Sequence, residues 1–218
     1  MTAASRKQAD DGRADRAAVA VSVPFVGLTG GIGSGKSTAR KALERLGAAT
    51  IDTDRVVHEL YETDEVRDAV RERWGDEVLT ADGVDRAAIA RRVFSDPEER
   101  KWLEGLLWPL VGRRVLEFRR EQESASPPPK AIVVETPLLF EAGMEGMYDA
   151  TIAVVADEEL RRSRAAARGH EAVDERAARQ LSQEEKAARA TFVVRNDGTE
   201  EDLERELSAV LDKLTSSR

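Results

Sequence analysis

The segment GGIGSGKST, residues 30–38, has the residue types and the spacing of a phosphate-binding loop. It satisfies the Walker A pattern, in which a glycine, four further residues and a second glycine precede Lys36 and Ser37. Glycines let backbone N–H groups approach phosphate oxygens closely, the lysine contacts the β- and γ-phosphates, and the serine hydroxyl coordinates Mg²⁺. We predict that a nucleotide contacts Gly31, Ile32, Gly33, Ser34, Gly35, Lys36, Ser37 and Thr38.

Three acidic residues are candidates for chemistry beside this loop. Asp52 and Asp54 lie two apart in IDTD, where the second predicted strand ends, and a strand would project both side chains from one face. A carboxylate at the carboxyl end of a parallel strand can orient and deprotonate an attacking hydroxyl. The spacing alone equally allows Asp54 to serve only as the N-cap of the next helix. Glu135 follows the apolar run AIVV, where a carboxylate would hold Mg²⁺ or its water.

Arg161, Arg164 and Arg168 occur at helical spacing after a further apolar strand. Arginines that close over a nucleotide would stabilise charge on the transferring phosphoryl group and exclude water. Arginines also occur near helix C-termini simply because the helix dipole favours them. We assign Arg168 to the catalytic interpretation and Arg161 to the solvated one. The N-K-x-D motif of a guanine-reading switch is absent from the sequence, so an ATP-dependent kinase of small molecules is favoured.

The composition of the 218 residues excludes several other classes of function. Lysine and arginine number 34 and aspartate and glutamate 42, and the net charge of −8 disfavours binding to nucleic acids or anionic membranes. The absence of cysteine excludes disulfides and cysteine-based metal or nucleophile sites. No apolar run approaches the roughly 20 residues that span a bilayer, and a signal-peptide pattern is absent. We expect a soluble, cytoplasmic protein. The sequence does not fix the oligomeric state, and we take a monomer as the working expectation.

Five strand-like runs that must position these residues alternate with helical patterns: VPFVGLT, ATID, AIVVET, TIAVV and TFVVRN. Strands that are apolar throughout indicate burial on both faces of a parallel sheet. We therefore predict an α/β fold, a three-layer P-loop NTPase core with a parallel sheet, a helical substrate-binding insertion and a helical lid. Pro109 is expected to kink or break the long helix that contains it.

We divide the chain into a disordered tail, residues 1–20, and a single unit, residues 21–218. The core of this unit comprises three stretches: about 21–54, 130–157 and 191–218. The helical insertion covers about 55–123 and contains all three tryptophans, so it can pack a small core of its own. The lid covers about 158–190, which has few large apolar side chains, although an ordinary solvated helical hairpin also fits this composition.

From about Val26 to Leu214 the chain resembles the dephospho-CoA kinase family. The stretches that carry the resemblance are GLTGGIGSGKST, GAATIDTDRVVHEL, RRVFSDPEERKWLEGLLWPLV, ETPLLFE and RQLSQEEKAARATFVVRNDGT. Many kinases share the loop, whereas the join of IDTD to HEL and the PLLFE segment are far more particular. The resemblance implies a P-loop core with a helical coenzyme-A-binding region and a lid.

The resemblance also implies transfer of the γ-phosphate of ATP to the ribose 3′-hydroxyl of dephospho-CoA, with Mg²⁺ as cofactor. By motif, Asp54 resembles the family's catalytic base, and Asp52 would support it. Lys36 and Arg168 would be the other catalytic residues, and Asn196 falls where the family contacts the adenine of ATP. Ser37 and Glu135 would hold the Mg²⁺ ion.

Four positions depart from the family pattern: Trp108, Glu135, Gly169 and Thr191. The family usually has histidine at the first of these positions and aspartate at the other three, so the contacts that these four side chains make differ from the family pattern. Two alternatives remain open: another P-loop kinase of a small metabolite, and a regulator that binds ATP without transferring phosphate.

Overall fold

The computed structural model describes residues 22–167 and 180–216. The predicted tail, residues 1–20, lies outside these two ranges, and so do the predicted catalytic Arg168 and the neighbouring Gly169. Within the two ranges, no helix is both long enough and apolar enough to cross a bilayer.

Five strands of the described chain form one parallel sheet, and each was predicted from the sequence. Their bounds are Phe25–Gly30 (β1), Ala49–Asp52 (β2), Ile132–Glu135 (β5), Ala150–Val155 (β6) and Phe192–Arg195 (β7). Two shorter strands pair as an antiparallel hairpin: Leu79–Thr80 (β3) and Gly83–Val84 (β4). The order across the sheet is β2-β5-β1-β6-β7, so the strand that leads into the phosphate loop is central. Every residue of β1, β5 and β6 is buried, as the apolar runs predict.

Helices cover both faces of the sheet. The described helices are Lys36–Arg45 (α1), Thr53–Leu60 (α2), Asp64–Trp74 (α3), Arg86–Ser95 (α4), Pro97–Glu123 (α5), Glu158–Ala166 (α6), Gln183–Arg189 (α7) and Glu200–Ser216 (α8). Side chains of a strand alternate between faces, so Val26 and Leu28 join a cluster with side chains of α1 and α8. Phe25 lies in a cluster on the other face, with Val115 and Phe118 of α5. The predicted three-layer α/β fold is confirmed.

Helices α2 to α5 form a hydrophobic cluster of their own. Its buried aliphatic side chains include Val56, Leu60, Val66, Val70, Ile89, Leu103, Leu107 and Leu110. Trp74 and Trp102 meet edge to face with ring centroids 4.9 Å apart, and Trp74 Nε1 donates to Glu99 at 2.8 Å. Trp108, by contrast, is 55% exposed and lies outside this cluster.

Helix α5 runs through Pro109 without a break. Of the two outcomes expected for this proline, a break is wrong and a kink stays a prediction. A proline removes one backbone hydrogen bond from a helix and places its ring against the carbonyl four residues earlier, which here belongs to Gly105. Leu107 and Leu110 are buried on either side, so packing in the helical cluster holds the helix together across this point.

Helix α7 is attached to the loop that follows β5 by a buried ion pair. Lys186 is fully buried, and its Nζ lies 2.9 Å from Glu141 Oε1 and donates to the Pro137 carbonyl oxygen at 2.6 Å. The Leu181 N–H donates to the same Glu141 oxygen at 2.8 Å. These contacts fix the end of the segment 158–190, and the lid role of that segment stays a prediction.

Thr191, one of the departures from the family pattern, connects β7 to β6. Its backbone N–H donates to the Thr151 hydroxyl and the Thr151 N–H donates to the Thr191 hydroxyl, both at 3.0 Å. A threonine at this position therefore supplies both a donor and an acceptor to the neighbouring strand.

Candidate active site

The phosphate loop is a tight turn between the end of β1 and the start of α1. Gly33 and Gly35 adopt φ of +77° and +90°, which side chains other than glycine rarely allow. A β-carbon on Gly35 would lie 2.0 Å from Asn196 Nδ2, and one on Gly33 would lie 2.3 Å from the Arg161 carbonyl oxygen. The loop therefore needs both glycines because of its own turn and because other elements press against it.

Lys36 lies across the mouth of this turn. Its Nζ donates to the carbonyl oxygens of Gly30 and Gly31 at 3.0 and 3.2 Å. Burial lowers the pKa of Lys36, and the negative charges of Glu135 and Asp54 oppose this effect. Glu135 is the register partner of Leu28 on β1, and its carbonyl oxygen accepts from the Thr53 hydroxyl at 2.9 Å, so both carboxylate-bearing segments meet beside the strand that leads into the loop. The structure thus brings together three of the predicted site residues.

Two side chains from the far end of the chain hold the outer side of the loop. Arg161 Nε donates to the carbonyl oxygen of Ile32 at 3.1 Å, and Asn196 Nδ2 donates to that of Ser34 at 2.9 Å. Arg164 Nη1 in turn donates to the backbone carbonyl of Asn196 at 3.0 Å. Asn196 is buried and engaged with the loop, and its predicted contact with adenine stays a prediction.

Glu135 ends β5 beside Asp52, its register partner on β2. Its Oε2 accepts from Arg40 Nε at 3.0 Å. Burial raises the pKa of Glu135, the nearby charge of Asp52 raises it further, and the cations Lys36 and Arg40 oppose both effects. Burial and Asp52 outweigh the two cations, so the pKa of Glu135 is raised overall.

The two aspartates of IDTD occupy different structural positions. Strand β2 ends at Asp52, so the expectation that both side chains extend from one strand face is wrong. Asp52 Oδ1 accepts from the N–H groups of Asp54 and Arg55 at 3.0 and 3.3 Å, which makes Asp52 the N-cap of α2. The capping alternative considered for Asp54 is thus also wrong. Asp54 lies in the first turn of α2, and its side chain is exposed at the edge of the site.

Arg161 is a site residue that the sequence reasoning missed. The assignment of Arg161 as a solvated cation is wrong, because its side chain is 20% exposed and contacts the loop. Its spacing of three from Arg164 was a usable signal, since residues three apart share a helix face. That spacing does not reveal that this face meets the phosphate loop. The preferred candidate, Arg168, lies outside the described residues.

The residues predicted to hold Mg²⁺ fit a magnesium ion by their chemistry. Ser37 supplies a hydroxyl oxygen from the first turn of α1, and Glu135 supplies a carboxylate from the end of β5. Mg²⁺ prefers oxygen ligands and usually keeps several waters and substrate phosphates rather than an all-protein cage. Consistent with this, the described residues contain no group of three or more acidic, histidine or cysteine side chains suited to a metal.

A parallel sheet whose central strand runs through a Walker A loop into a helix defines the chain as a P-loop nucleotide-binding protein. The model of the dephospho-CoA kinase family matches residues 24–202. The chain therefore belongs to the dephospho-CoA kinase family, and the resemblance inferred from its motifs is confirmed.

Individual relatives agree with this assignment. A protein named dephospho-CoA kinase from Moorella thermoacetica is 42% identical over 190 residues, covering 85% of this chain and 88% of that protein. One from Thermus thermophilus is 40% identical over 194 residues, covering 88% and 92%. A crystal structure from Thermus thermophilus matches with a TM-score of 0.74 at 40% identity, covering 88% of this chain and 98% of that one. Dephospho-CoA kinase from Campylobacter jejuni matches with a TM-score of 0.65 at 25% identity and the same coverage.

Proposed function

We propose that this protein transfers the γ-phosphate of ATP to the ribose 3′-hydroxyl of dephospho-CoA, giving coenzyme A and ADP. The observation that carries the proposal is the position of Lys36 in the phosphate loop, with Glu135 on the strand next to β1 and Asp54 one residue after Thr53, whose hydroxyl donates to the Glu135 carbonyl oxygen. The family match, which extends over the loop and both carboxylates, supports the choice of acceptor.

The loop and its lysine bind the phosphates of ATP. Backbone N–H groups between β1 and α1 face the anion, and the N-terminus of α1 adds its dipole. When phosphate oxygens enter, Lys36 Nζ exchanges the carbonyl oxygens of Gly30 and Gly31 for them. The positive charge then lies beside the group that is transferred, where negative charge is spread over the phosphoryl oxygens.

Asp54 orients the acceptor hydroxyl. Its exposed carboxylate at the start of α2 can accept a hydrogen bond from the ribose 3′-hydroxyl. A carboxylate is a weak base toward an alcohol, so alignment of the hydroxyl and late proton transfer carry the catalysis rather than prior deprotonation. Asp52, as the cap of α2, sets the position of the turn that carries Asp54.

Ser37 and Glu135 would hold Mg²⁺ with the nucleotide, and the ion would neutralise charge on the β- and γ-phosphates. Arg168, predicted from the family motif, would contribute a further positive charge to the transferred group. Asn196 would contact the adenine of ATP, and the helical region of α2 to α5 would bind the coenzyme A part of the acceptor. We also propose that the protein acts in the cytoplasm, as a monomer, without nucleic-acid or membrane partners.

The test is mass-spectrometric detection of coenzyme A after mixing the protein with MgATP and dephospho-CoA. Lys36→Ala should abolish the product, and Asp54→Asn should abolish transfer while leaving ATP binding intact. Asp64→Asn is a matched control, because Asp64 is also an exposed aspartate in the first turn of a helix but belongs to α3. ATP binding without any product, across a panel of hydroxyl acceptors, would replace the kinase proposal with a nucleotide-dependent regulator.

A further inference from the structure

Arg161 holds one peptide unit of the phosphate loop from outside. Its Nε donates to the Ile32 carbonyl oxygen at 3.1 Å, and its Nη1 lies 2.7 Å from Glu158 Oε2. The guanidinium is thus anchored on one side to its own helix, α6, and on the other side to the loop. Arg162 pairs with the other oxygen of Glu158 at 3.1 Å but is 79% exposed.

The contact is tight enough to constrain the loop sequence. A β-carbon on Gly31 would come within 2.8 Å of Arg161 Nη2, and one on Gly33 would approach the Arg161 backbone within 2.3 Å. The backbone of Arg161 therefore excludes a β-carbon at position 33, whereas the guanidinium near position 31 is the flexible end of a side chain. Helix α6 and the loop are shaped to fit each other.

Because the peptide is planar, the contact at the Ile32 carbonyl also fixes the direction of the Gly33 N–H. In a trans peptide the C=O of one residue and the N–H of the next point in opposite directions. A carbonyl of Ile32 held outward against Arg161 therefore directs the Gly33 N–H toward the inside of the turn, where an anion binds. Gly33 itself offers little resistance to rotation of this peptide, since it has no β-carbon.

We propose that Arg161 is a positioning residue that fixes the Gly33 N–H as a phosphate donor. It acts through the Ile32–Gly33 peptide, and its effect requires the planar fork of a guanidinium, which contacts Glu158 and Ile32 at once. A lysine at position 161 keeps the charge but cannot make both contacts in this geometry. The effect on nucleotide affinity rests on the proposed function, whereas the effect on the peptide does not.

The first test uses the nucleotide-free protein labelled with ¹⁵N. Arg161→Ala and Arg161→Lys should both shift the Gly33 amide resonance and broaden it, because the peptide is released. Arg162→Ala, which removes a neighbouring arginine from the same glutamate, should leave that resonance in place. A Gly33 resonance that is unmoved in both Arg161 variants would overturn the proposal.

The second test is calorimetric titration with ADP and with adenosine. Both Arg161 variants should bind ADP roughly 10-fold more weakly, the effect of losing one charge-assisted hydrogen bond, with adenosine binding and the KM for dephospho-CoA unchanged. Full affinity in Arg161→Lys would show that charge alone matters and would overturn the positioning role. If the unsubstituted protein does not bind ADP, the proposed function fails, and the Gly33 resonance still decides the role of Arg161.

Discussion

Lys36 carries its positive charge in surroundings that do not favour it. Burial lowers its pKa, the positive charges of Lys186 and Arg161 act in the same direction, and two carboxylates act against them. A lysine with this balance releases its proton at a lower pH than an exposed lysine does. Its charge, and hence its attraction for phosphate, is thus sensitive to alkaline pH.

We expect the affinity for ADP to decrease with rising pH, and to do so below about pH 10.4, the pKa of an ordinary lysine. Lys36 is protonated below its lowered pKa and neutral above it, and only the protonated form attracts phosphate. Affinity should therefore decrease as pH rises through that lowered value. Calorimetric titration from pH 7 to pH 10.5 measures this profile.

Lys36→Arg provides the control, since a guanidinium stays charged across the whole range. Its affinity should be lower overall, because the fork does not fit the single-point site, but independent of pH. A flat profile for the unsubstituted protein would mean that Lys36 is not the group that binds phosphate.

At the scale of residues, the sequence predicts which side chains share an edge of the sheet when each follows a recognisable strand. The loop, Glu135 and Asp52 lie at one edge because strand ends in a parallel sheet meet there, and their roles stay predictions. The outer support of the loop was not predictable, because Arg161 and Asn196 lie 129 and 162 positions from the carbonyls that they hold. Only the packing of α6 and the end of β7 brings them there.

Among the elements, α7 depends on its single buried charge. Lys186 has no exposed surface, and burial lowers its pKa, while the Glu141 carboxylate opposes that shift. Removing either partner leaves the other charge buried and unpaired, which is far more destabilising than losing an exposed pair. The contact therefore fixes α7 to the loop after β5.

We expect Lys186→Met to lower the free energy of unfolding by about 3–5 kcal/mol, measured by urea denaturation. Adding Glu141→Leu to this variant should recover a substantial part of the loss, because no unpaired charge then remains buried. Lys41→Met, on the exposed side of α1, is the matched control and should change stability by less than about 0.5 kcal/mol. A double variant no more stable than Lys186→Met would contradict the ion-pair explanation.

The strands and helices themselves were largely predictable, because burial on one face or on both faces of an element leaves a pattern in the sequence. Strands buried on both faces appear as continuous apolar runs, and β1, β5 and β6 were found in this way. Pro109 was judged by a local rule, whereas tertiary packing of α5 outweighed the loss of one hydrogen bond. The end of β2 was misplaced for a related reason, since Asp52 can cap a helix or extend a strand, and its side-chain hydrogen bonds decide between them.

For the whole molecule, α5 joins two hydrophobic clusters. Its first half contributes Leu103 and Leu107 to the helical cluster, and Val115 and Phe118 further along pack against the sheet. An element shared by two cores couples their stability, because neither core can be complete while α5 is unfolded. The sheet and the helical region should therefore unfold together.

This coupling can be measured because the three tryptophans all lie in α3 and α5. Leu207 of α8 packs in the same hydrophobic cluster as Val26 and Leu28 of β1. We expect Leu207→Ala to destabilise the protein by about 2–5 kcal/mol and to lower the midpoint of the unfolding transition followed by tryptophan fluorescence. Circular dichroism should report the same midpoint. Leu116→Ala, at an exposed position of α5, should have little effect. A fluorescence midpoint that ignores Leu207→Ala would mean that the two regions unfold independently.

The position of β1 also bears on how the chain folds as it is synthesised. β1 leaves the ribosome first among the strands, yet its partners in the sheet are residues 132–135 and 150–154, more than a hundred positions later. The helical cluster, by contrast, draws its buried side chains from the contiguous stretch 56–110. Contacts between near neighbours in sequence form fastest, so the helical region can condense while the phosphate loop still waits for its sheet. The phosphate loop is thus synthesised well before the strands that flank β1, and its site is assembled only after they follow.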